Sequence, residues 1–319
     1  MFKSLKNYFK YFNKSNLLTK IYIILVLVFI IFYLKKILKN DNLIEKYNNL
    51  DNNLYKKNFF EKKYNNDIYD DLYAHYYDYA HLNEKKNNEE IIKIKKYIDN
   101  FKNPKILDVG CGTGFHVNKL NTDYDIIGID KSKSMIKMAK SKYPDCKFYT
   151  RDFLNNNVYD LNTFTHILCL NRTIYNIDNK EEFFENCSRL LTINGYLIIN
   201  FIDINNINSF INIDNNNSKN LFNGKSLGYY PKTHIIKFSK DIEFMSNFSD
   251  ENLKSNNEII YYEKLKNYRT NSVRKNEISL KINSIESNIK LAKKYNLIIK
   301  KVIELPNFKN EFLYIFIKK

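Results

Sequence analysis

Residues 106–114 read Ile-Leu-Asp-Val-Gly-Cys-Gly-Thr-Gly, an apolar strand that runs into a glycine-rich turn and opens a helix. Glycines suit such a turn because they accept positive φ and, lacking Cβ, let backbone N–H groups approach a ligand closely. The next apolar strand ends on Asp130, 22 residues after Asp108, where a carboxylate can take both hydroxyls of a ribose. A third strand is followed by Arg151, Asp152 and Phe153, a triplet able to hydrogen-bond to and stack on an adenine ring. Together these residues describe an adenosine-shaped pocket at the carboxyl ends of parallel strands, where open α/β sheets bind ligands. A dinucleotide fits less well: the third glycine of G-x-G-x-x-G, counted from Gly110, falls on Phe115.

The elements that must position this pocket follow from hydrophobic periodicity. Short apolar runs alternate with helical patterns, the signature of βαβ units and a parallel sheet. The pattern predicts strands at Lys105–Val109, Asp125–Asp130, Cys146–Thr150, Phe164–Leu170 and Gly195–Phe201, with helices at His116–Leu120, Ser134–Lys142 and Lys180–Leu191 between them. A helix at Ser284–Lys294 then precedes a strand at Leu297–Glu304, and Glu311–Lys318 forms a last strand. Upstream, Ile68–His81 and Glu89–Phe101 carry helical spacing. Residues 203–274 break the rhythm with an Asn-rich loop and β-like stretches at His234–Phe238, Ile242–Phe248 and Glu258–Leu265, which predicts an inserted cover over the sheet.

The run ILDVGCGTG, then GIDKSKSM, the RDF triplet and LLTINGYLIINF over Leu190–Phe201 resemble a class I S-adenosylmethionine-dependent methyltransferase, from about Ile68 to Lys319. The resemblance implies an α/β, Rossmann-like, seven-stranded sheet of order 3-2-1-4-5-7-6 with strand seven antiparallel. It implies S-adenosyl-L-methionine as cofactor. Asp108 and the turn Gly110, Cys111, Gly112 and Gly114 would contact its methionine part, with His116 near the carboxylate. Asp130 would hold the ribose, Lys131 and Met135 would flank the adenosine, and Asp152 with Phe153 would meet the adenine. Leu170 would lie at the site from the end of the fourth strand, and Tyr73 and Tyr77 from a helix that folds over the cofactor. One departure is Asn194-Gly195 in place of a glycine pair before the fifth strand, which costs little because Asn tolerates left-handed turns.

Methyl transfer is an in-line displacement, so alignment of nucleophile and methyl group can carry much of the catalysis. By the resemblance, the segment after the fourth strand faces the transferable methyl, which makes Asn171 and Tyr175 candidates for orienting an amine or hydroxyl. The (Asn/Asp)-Pro-Pro-(aromatic) signature of DNA N-methylation is absent. His75 and His81, on the tyrosine-rich helix, are the base candidates if that helix closes over the acceptor. His166, inside a strand, reads as a core residue.

The formal charge is +16, and Met1–Lys46 holds nine Lys against Asp41 and Glu45, a local +7. Ile21–Leu34 is fourteen residues without a charge, between Lys20 and Lys35. A helix of that length spans about 21 Å against a hydrocarbon core of about 30 Å, but Leu17 and Leu18 extend it if Lys20 snorkels. Expected organisation is a basic tail (1–16), a single-pass transmembrane helix (17–39), an Asn-rich linker (40–67) and the methyltransferase domain (68–319), with the cover at 203–274. Because S-adenosylmethionine is made in the cytosol, the domain is expected there. Cys111, Cys146, Cys169 and Cys187 include no CxxC pair and no zinc-like spacing, so reduced thiols and no metal site are expected.

The acceptor is therefore expected to be a small molecule, a lipid headgroup or a sugar, methylated on N or O. Two alternatives stand beside it: a non-catalytic module tethering a partner to a membrane, and an RNA methyltransferase. The second is disfavoured because almost half the positive charge lies in the N-terminal region.

Overall fold

The computed structural model describes residues 16–23, 25–26, 28–29, 59–155, 159–202, 233–249, 257–305 and 311–319. The chain divides into two units, Met1–Lys56 and Lys57–Lys319. In the first, the described residues from 17 onward are helical, with Leu17, Leu18, Tyr22, Leu25 and Phe29 exposed. No helix among the described residues is long and apolar enough to cross a membrane. The rest of the expected span, residues 30–39, and most of the linker lie outside the described residues.

The second unit opens with β1 (Phe60–Tyr64), then α1 (Asp71–His81) and α2 (Glu84–Ile98). Alternating strands and helices follow: β2 (Lys105–Val109), α3 (Phe115–Leu120), β3 (Asp125–Asp130), α4 (Lys133–Lys142) and β4 (Lys147–Thr150). The rhythm continues through β5 (Phe164–Cys169), α5 (Lys180–Leu190) and β6 (Leu191–Ile202). Four further strands, β7 (Thr233–Lys237), β8 (Ile242–Ser249), β9 (Glu258–Asn267) and β10 (Ser272–Lys281), precede α6 (Ile285–Lys294), β11 (Leu297–Glu304) and β12 (Glu311–Lys318).

Local chemistry sets the helix starts. Asp70, Asn83, Ser132, Asn179 and Ser284 each accept a hydrogen bond from a backbone N–H in the first turn of α1, α2, α4, α5 and α6, satisfying donors that have no partner inside the helix. β2 and β5 are buried nearly throughout and apolar at most positions, as strands covered on both faces are.

Two sheets result. The first has seven strands in the order β11-β12-β6-β5-β2-β3-β4, with β12 antiparallel to both β6 and β11 and the β6-to-β4 part parallel. That is the order and polarity the resemblance implies. Its core joins Ile106, Val117, Phe148, Leu168, Ile198 and Ile315, among others. The second sheet has five strands, β1-β10-β9-β8-β7. Helix α1 lies between them: Tyr76 packs on Phe238 and Phe244 of the five-stranded sheet, while Asp78 accepts a hydrogen bond from Thr113 beside the glycine-rich turn.

Two boundaries differ from expectation. Folding begins before Ile68, because residues 60–64 form a parallel edge strand on β10. The cover runs past Arg274 to Lys281. Both were hidden for one reason: the inward faces of β1 and β10 are polar. Lys63 of β1 and Arg274 of β10 reach Asp70 at 2.5 and 2.8 Å, and Arg274 also donates to the Ile68 carbonyl at 2.7 Å. Burying such groups is tolerable only when they are paired, and the partners come from distant sequence.

Candidate functional site

The glycine-rich turn leaves β2 between β3 and β5, at the place where the strand order reverses. Gly110 sits at φ +69°, and a Cβ there would collide with Thr173, so the left-handed turn and the close approach of residues 171–173 both require glycine. Its N–H, like that of Cys111, donates to the Ile129 carbonyl, which ties the turn to the end of β3. Asp130, the last residue of β3, accepts from the Gly112 N–H at 3.0 Å with one oxygen and from the Ser132 N–H at 2.9 Å with the other. Ser132 in turn donates to the Tyr69 carbonyl at 2.6 Å, which fastens the segment before α1 over the site.

A cavity of about 260 Å³ opens at these strand ends. Gly110, Gly112, Asp130, Lys131 and Met135 line it on one side, with Asp152 and Phe153 further along. Tyr77 and Asn171 complete the wall from α1 and from the turn after β5. A second cavity of about 80 Å³ shares Tyr69, Tyr77, Asn171 and Asn176 with the first and extends toward the five-stranded sheet through Tyr73, His81 and Tyr261. Tyr69, Asn176 and Tyr261 were not among the expected site residues.

Several expected contacts are placed elsewhere. Gly114 is the left-handed residue that starts α3, and a Cβ there would meet Phe148 at 2.5 Å, so its role is packing. Cys111 has its thiol against Gly112 and Gly128, and Leu170 is in the core; neither lines the cavities. Phe153 reaches the wall but packs its ring on Phe183 at 5.4 Å. Tyr73 lines the smaller cavity only. Tyr175 is 2 % exposed, with its hydroxyl accepting from the Ile202 N–H at 2.9 Å; it is a core residue and lines neither cavity. His75 also lines neither, since its position on α1 differs by about half a turn from Tyr77. His166 is fully buried between Thr165 and the Tyr97 carbonyl, and burial pushes its imidazole down to about 4.

Behind the turn lies a buried polar network that sequence reasoning missed. Lys86 of α2, 2 % exposed, is 2.6 Å from Glu311 of β12 and 3.5 Å from Glu90. Glu90 faces His116 at 3.3 Å, so the His116 side chain is turned away from the cavity and into this network. Burial alone would raise Glu90, but the charges of Lys86 and His116 outweigh it and hold its carboxyl below the ordinary range. The signal was available in part, because Lys86 and Glu90 flank the apolar stripe of Ile91, Ile94 and Ile98.

Asp108, 2 % exposed, has one oxygen with no hydrogen-bond partner. Burial, with Asp130 and Glu90 nearby and only His116 opposing, pushes its carboxyl up to about 7. Burial likewise raises Asp130, against the two N–H bonds it accepts and Lys131. Phenols of Tyr73, Tyr77 and Tyr261 are held in the neutral form by burial. The cavity walls therefore offer the Asp130 carboxyl, neutral hydroxyls and ring faces.

The family model of a methyltransferase domain matches residues 100–277, more than half of the chain. The chain belongs to the methyltransferase-domain family. Its fold is that of the class I S-adenosylmethionine-dependent enzymes: a methyltransferase of that kind from Clostridium acetobutylicum superposes with a TM-score of 0.58 at 18% identity, over 77% of this chain and 98% of its own. KedS8 of Streptoalloteichus, a sugar N-methyltransferase, gives 0.54 at 14% identity, over 73% of this chain and 88% of that one. Methyltransferase 235L of Invertebrate iridescent virus 6 is 31% identical over 124 residues, 36% of this chain. The match spans 44% of the viral protein's length.

The residues present fit S-adenosylmethionine. Gly110 and Gly112, which leave room at the turn, and the carboxyl of Asp130 line the 260 Å³ cavity at the strand ends, while Asp108, two residues before Gly110 and outside that lining, keeps a buried oxygen with no hydrogen-bond partner.

Proposed function

We propose that this methyltransferase moves a methyl group from S-adenosylmethionine to a nitrogen or oxygen of a small molecule, a sugar or a lipid headgroup. The observation that carries the proposal is the pair of adjoining cavities: one runs along the ends of β2 and β3, past Asp130, and the other opens from it between α1 and the five-stranded sheet. When bound, the cofactor supplies an electrophilic methyl on a sulfonium sulfur. The protein's own residues have three tasks. Asp130, oriented by the Gly112 N–H, holds the nucleoside end; Tyr69, Tyr77 and Met135 close over it and exclude water; Asn171, at φ +46° between the cavities, orients the acceptor atom. Such positioning can supply much of the rate without a dedicated base.

The experiment is thermal unfolding of the full chain with and without S-adenosylmethionine, beside Asp130→Ala. Ligand at 100 times its Kd should stabilise by about 2.7 kcal/mol, and the variant should lose most of it. A cooperative melt with no ligand shift would overturn the proposal. We further propose that the apolar run near residues 17–34 tethers the enzyme to a membrane with its catalytic domain in the cytosol. Support comes from the exposure of Leu17, Leu18, Tyr22, Leu25 and Phe29 on one helix and from the lysines that flank the run.

A further inference from the structure

The solvent face of the five-stranded sheet carries an arrangement that costs stability. Strand pairing places Lys62 of β1 opposite Lys275 of β10, and Lys275 opposite Lys264 of β9, so three lysines stand abreast on one face. Like charges directly opposite one another destabilise a sheet. Tyr64, Glu277 and Tyr262 form the row on one side of them, and Phe60, Val273 and Lys266 the row on the other. Phe60, Tyr64 and Tyr262 are exposed. The three lysines line a cavity of about 390 Å³ together with Phe60, Tyr262 and Asn247.

The acids of this cavity do not match its lysines. Glu277 is paired with Lys62 at 3.0 Å. Glu263 borders only the floor, since its side chain has no exposure and turns to the other face of the sheet, toward Tyr73 and Asn276. Among the described residues Lys264 and Lys275 meet no carboxylate. The Lys275 ammonium lies over the Phe60 ring at 5.4 Å instead, and that of Lys62 over Tyr64 at 4.7 Å. A nucleic-acid base would have to displace those ammonium groups in order to stack. A lipid surface displaces nothing: it takes lysines at the level of its phosphates and aromatic rings among its headgroups. The strand that brings Phe60, Lys62 and Tyr64 to this face begins 26 positions after the apolar run ends at Leu34.

We infer that this face docks on an anionic lipid surface, with phosphate groups along the row of Lys62, Lys275 and Lys264 and the rings of Phe60, Tyr64 and Tyr262 at headgroup depth. An anion between neighbouring lysines turns their mutual repulsion into attraction. The face is the one turned away from α1, so a docked sheet keeps both cavities beside that helix on its far side. Docking by this face requires neither bound cofactor nor the tether near residues 17–34.

The test reconstitutes the full chain with vesicles of phosphatidylcholine alone and with vesicles about one-third phosphatidylserine, and reads acetylation of individual lysines by mass spectrometry. Lys62, Lys264 and Lys275 should react about fivefold more slowly on the anionic vesicles than on the neutral ones, while Lys137, exposed on α4, keeps its rate. In the double variant Lys264→Gln, Lys275→Gln, whose changes lie on the solvent face and relieve repulsion, Lys62 should react alike on both. Equal rates for the three lysines on the two vesicles, slowing shared by Lys137, or protection of Lys62 that survives the double variant would overturn the inference. Protection by a single-stranded oligonucleotide but not by the vesicles would assign the face to nucleic acid and overturn the lipid reading. A chain that carbonate releases from neutral vesicles yet shows the anionic protection defeats the tether alone. A chain held in both vesicles without that protection defeats docking alone.

Discussion

Replacing Asp108 by Asn should stabilise the ligand-free protein, and increasingly so as pH rises. The carboxyl is displaced from an ordinary value of 3.8 to about 7, first because burial strips its solvent and then because Asp130 and Glu90 lie near. A group whose folded pKa exceeds its unfolded one contributes stability that is present below the unfolded value and lost as pH climbs through the folded value. For Asp108 the window runs from about pH 4 to about pH 7. Three units at 1.36 kcal/mol each give about 4 kcal/mol, which is about 8 °C at roughly 2 °C per kcal/mol for a domain of this size. The assay is calorimetric melting of wild type and Asp108→Asn at pH 4.5 and pH 8.5. The two should melt close together at the lower pH, with the variant about 8 °C higher at the upper one. A gap that does not widen refutes the reasoning. Saturating S-adenosylhomocysteine should then narrow the gap, since a ligand ammonium supplies the cation that ionised Asp108 lacks; if it does not, Asp108 has no part in holding the methionine end.

Tyr175→Phe removes the acceptor for the buried Ile202 N–H and should cost about 1–3 kcal/mol of stability, leaving turnover per folded molecule unchanged; a tenfold loss of turnover at unchanged stability would return Tyr175 to the reaction. The proposed tether predicts that the full chain stays in the membrane pellet through carbonate extraction while a chain lacking residues 1–39 is released, and that the exposed sequon at Asn247 remains unglycosylated. Extraction of the full chain, or a glycan on Asn247, contradicts one half of that proposal each.

Legibility differed sharply between the two sheets. The seven-stranded sheet was readable because its central strands β2, β5 and β6 carry short apolar runs that end on chemistry the backbone demands: glycines at the turn after Val109, Asp130 closing the next strand, Asn171 and Asn194 where φ is positive. The five-stranded sheet was half hidden, because a strand whose inward face carries Arg274 and Asn276 looks like a surface strand until their partners are known.

The sequence by itself determined where most strands and helices of the seven-stranded sheet lie and put a glycine-rich turn after Val109 and an acid at the end of the next strand, since turn chemistry and hydrophobic period are local properties; the strand order came with the resemblance. Only the tertiary structure decided which side chains line the two cavities. Tyr175 and His75 read as well as Tyr261 would have, yet the first packs into the core and the second lines neither cavity. Glu263 reaches the rings of α1 because β9, nearly 190 residues away, folds over that helix. Local pattern fixes an element's type and its buried face; which distant charges meet across that face is settled by packing, because a buried charge persists only where a remote partner neutralises it.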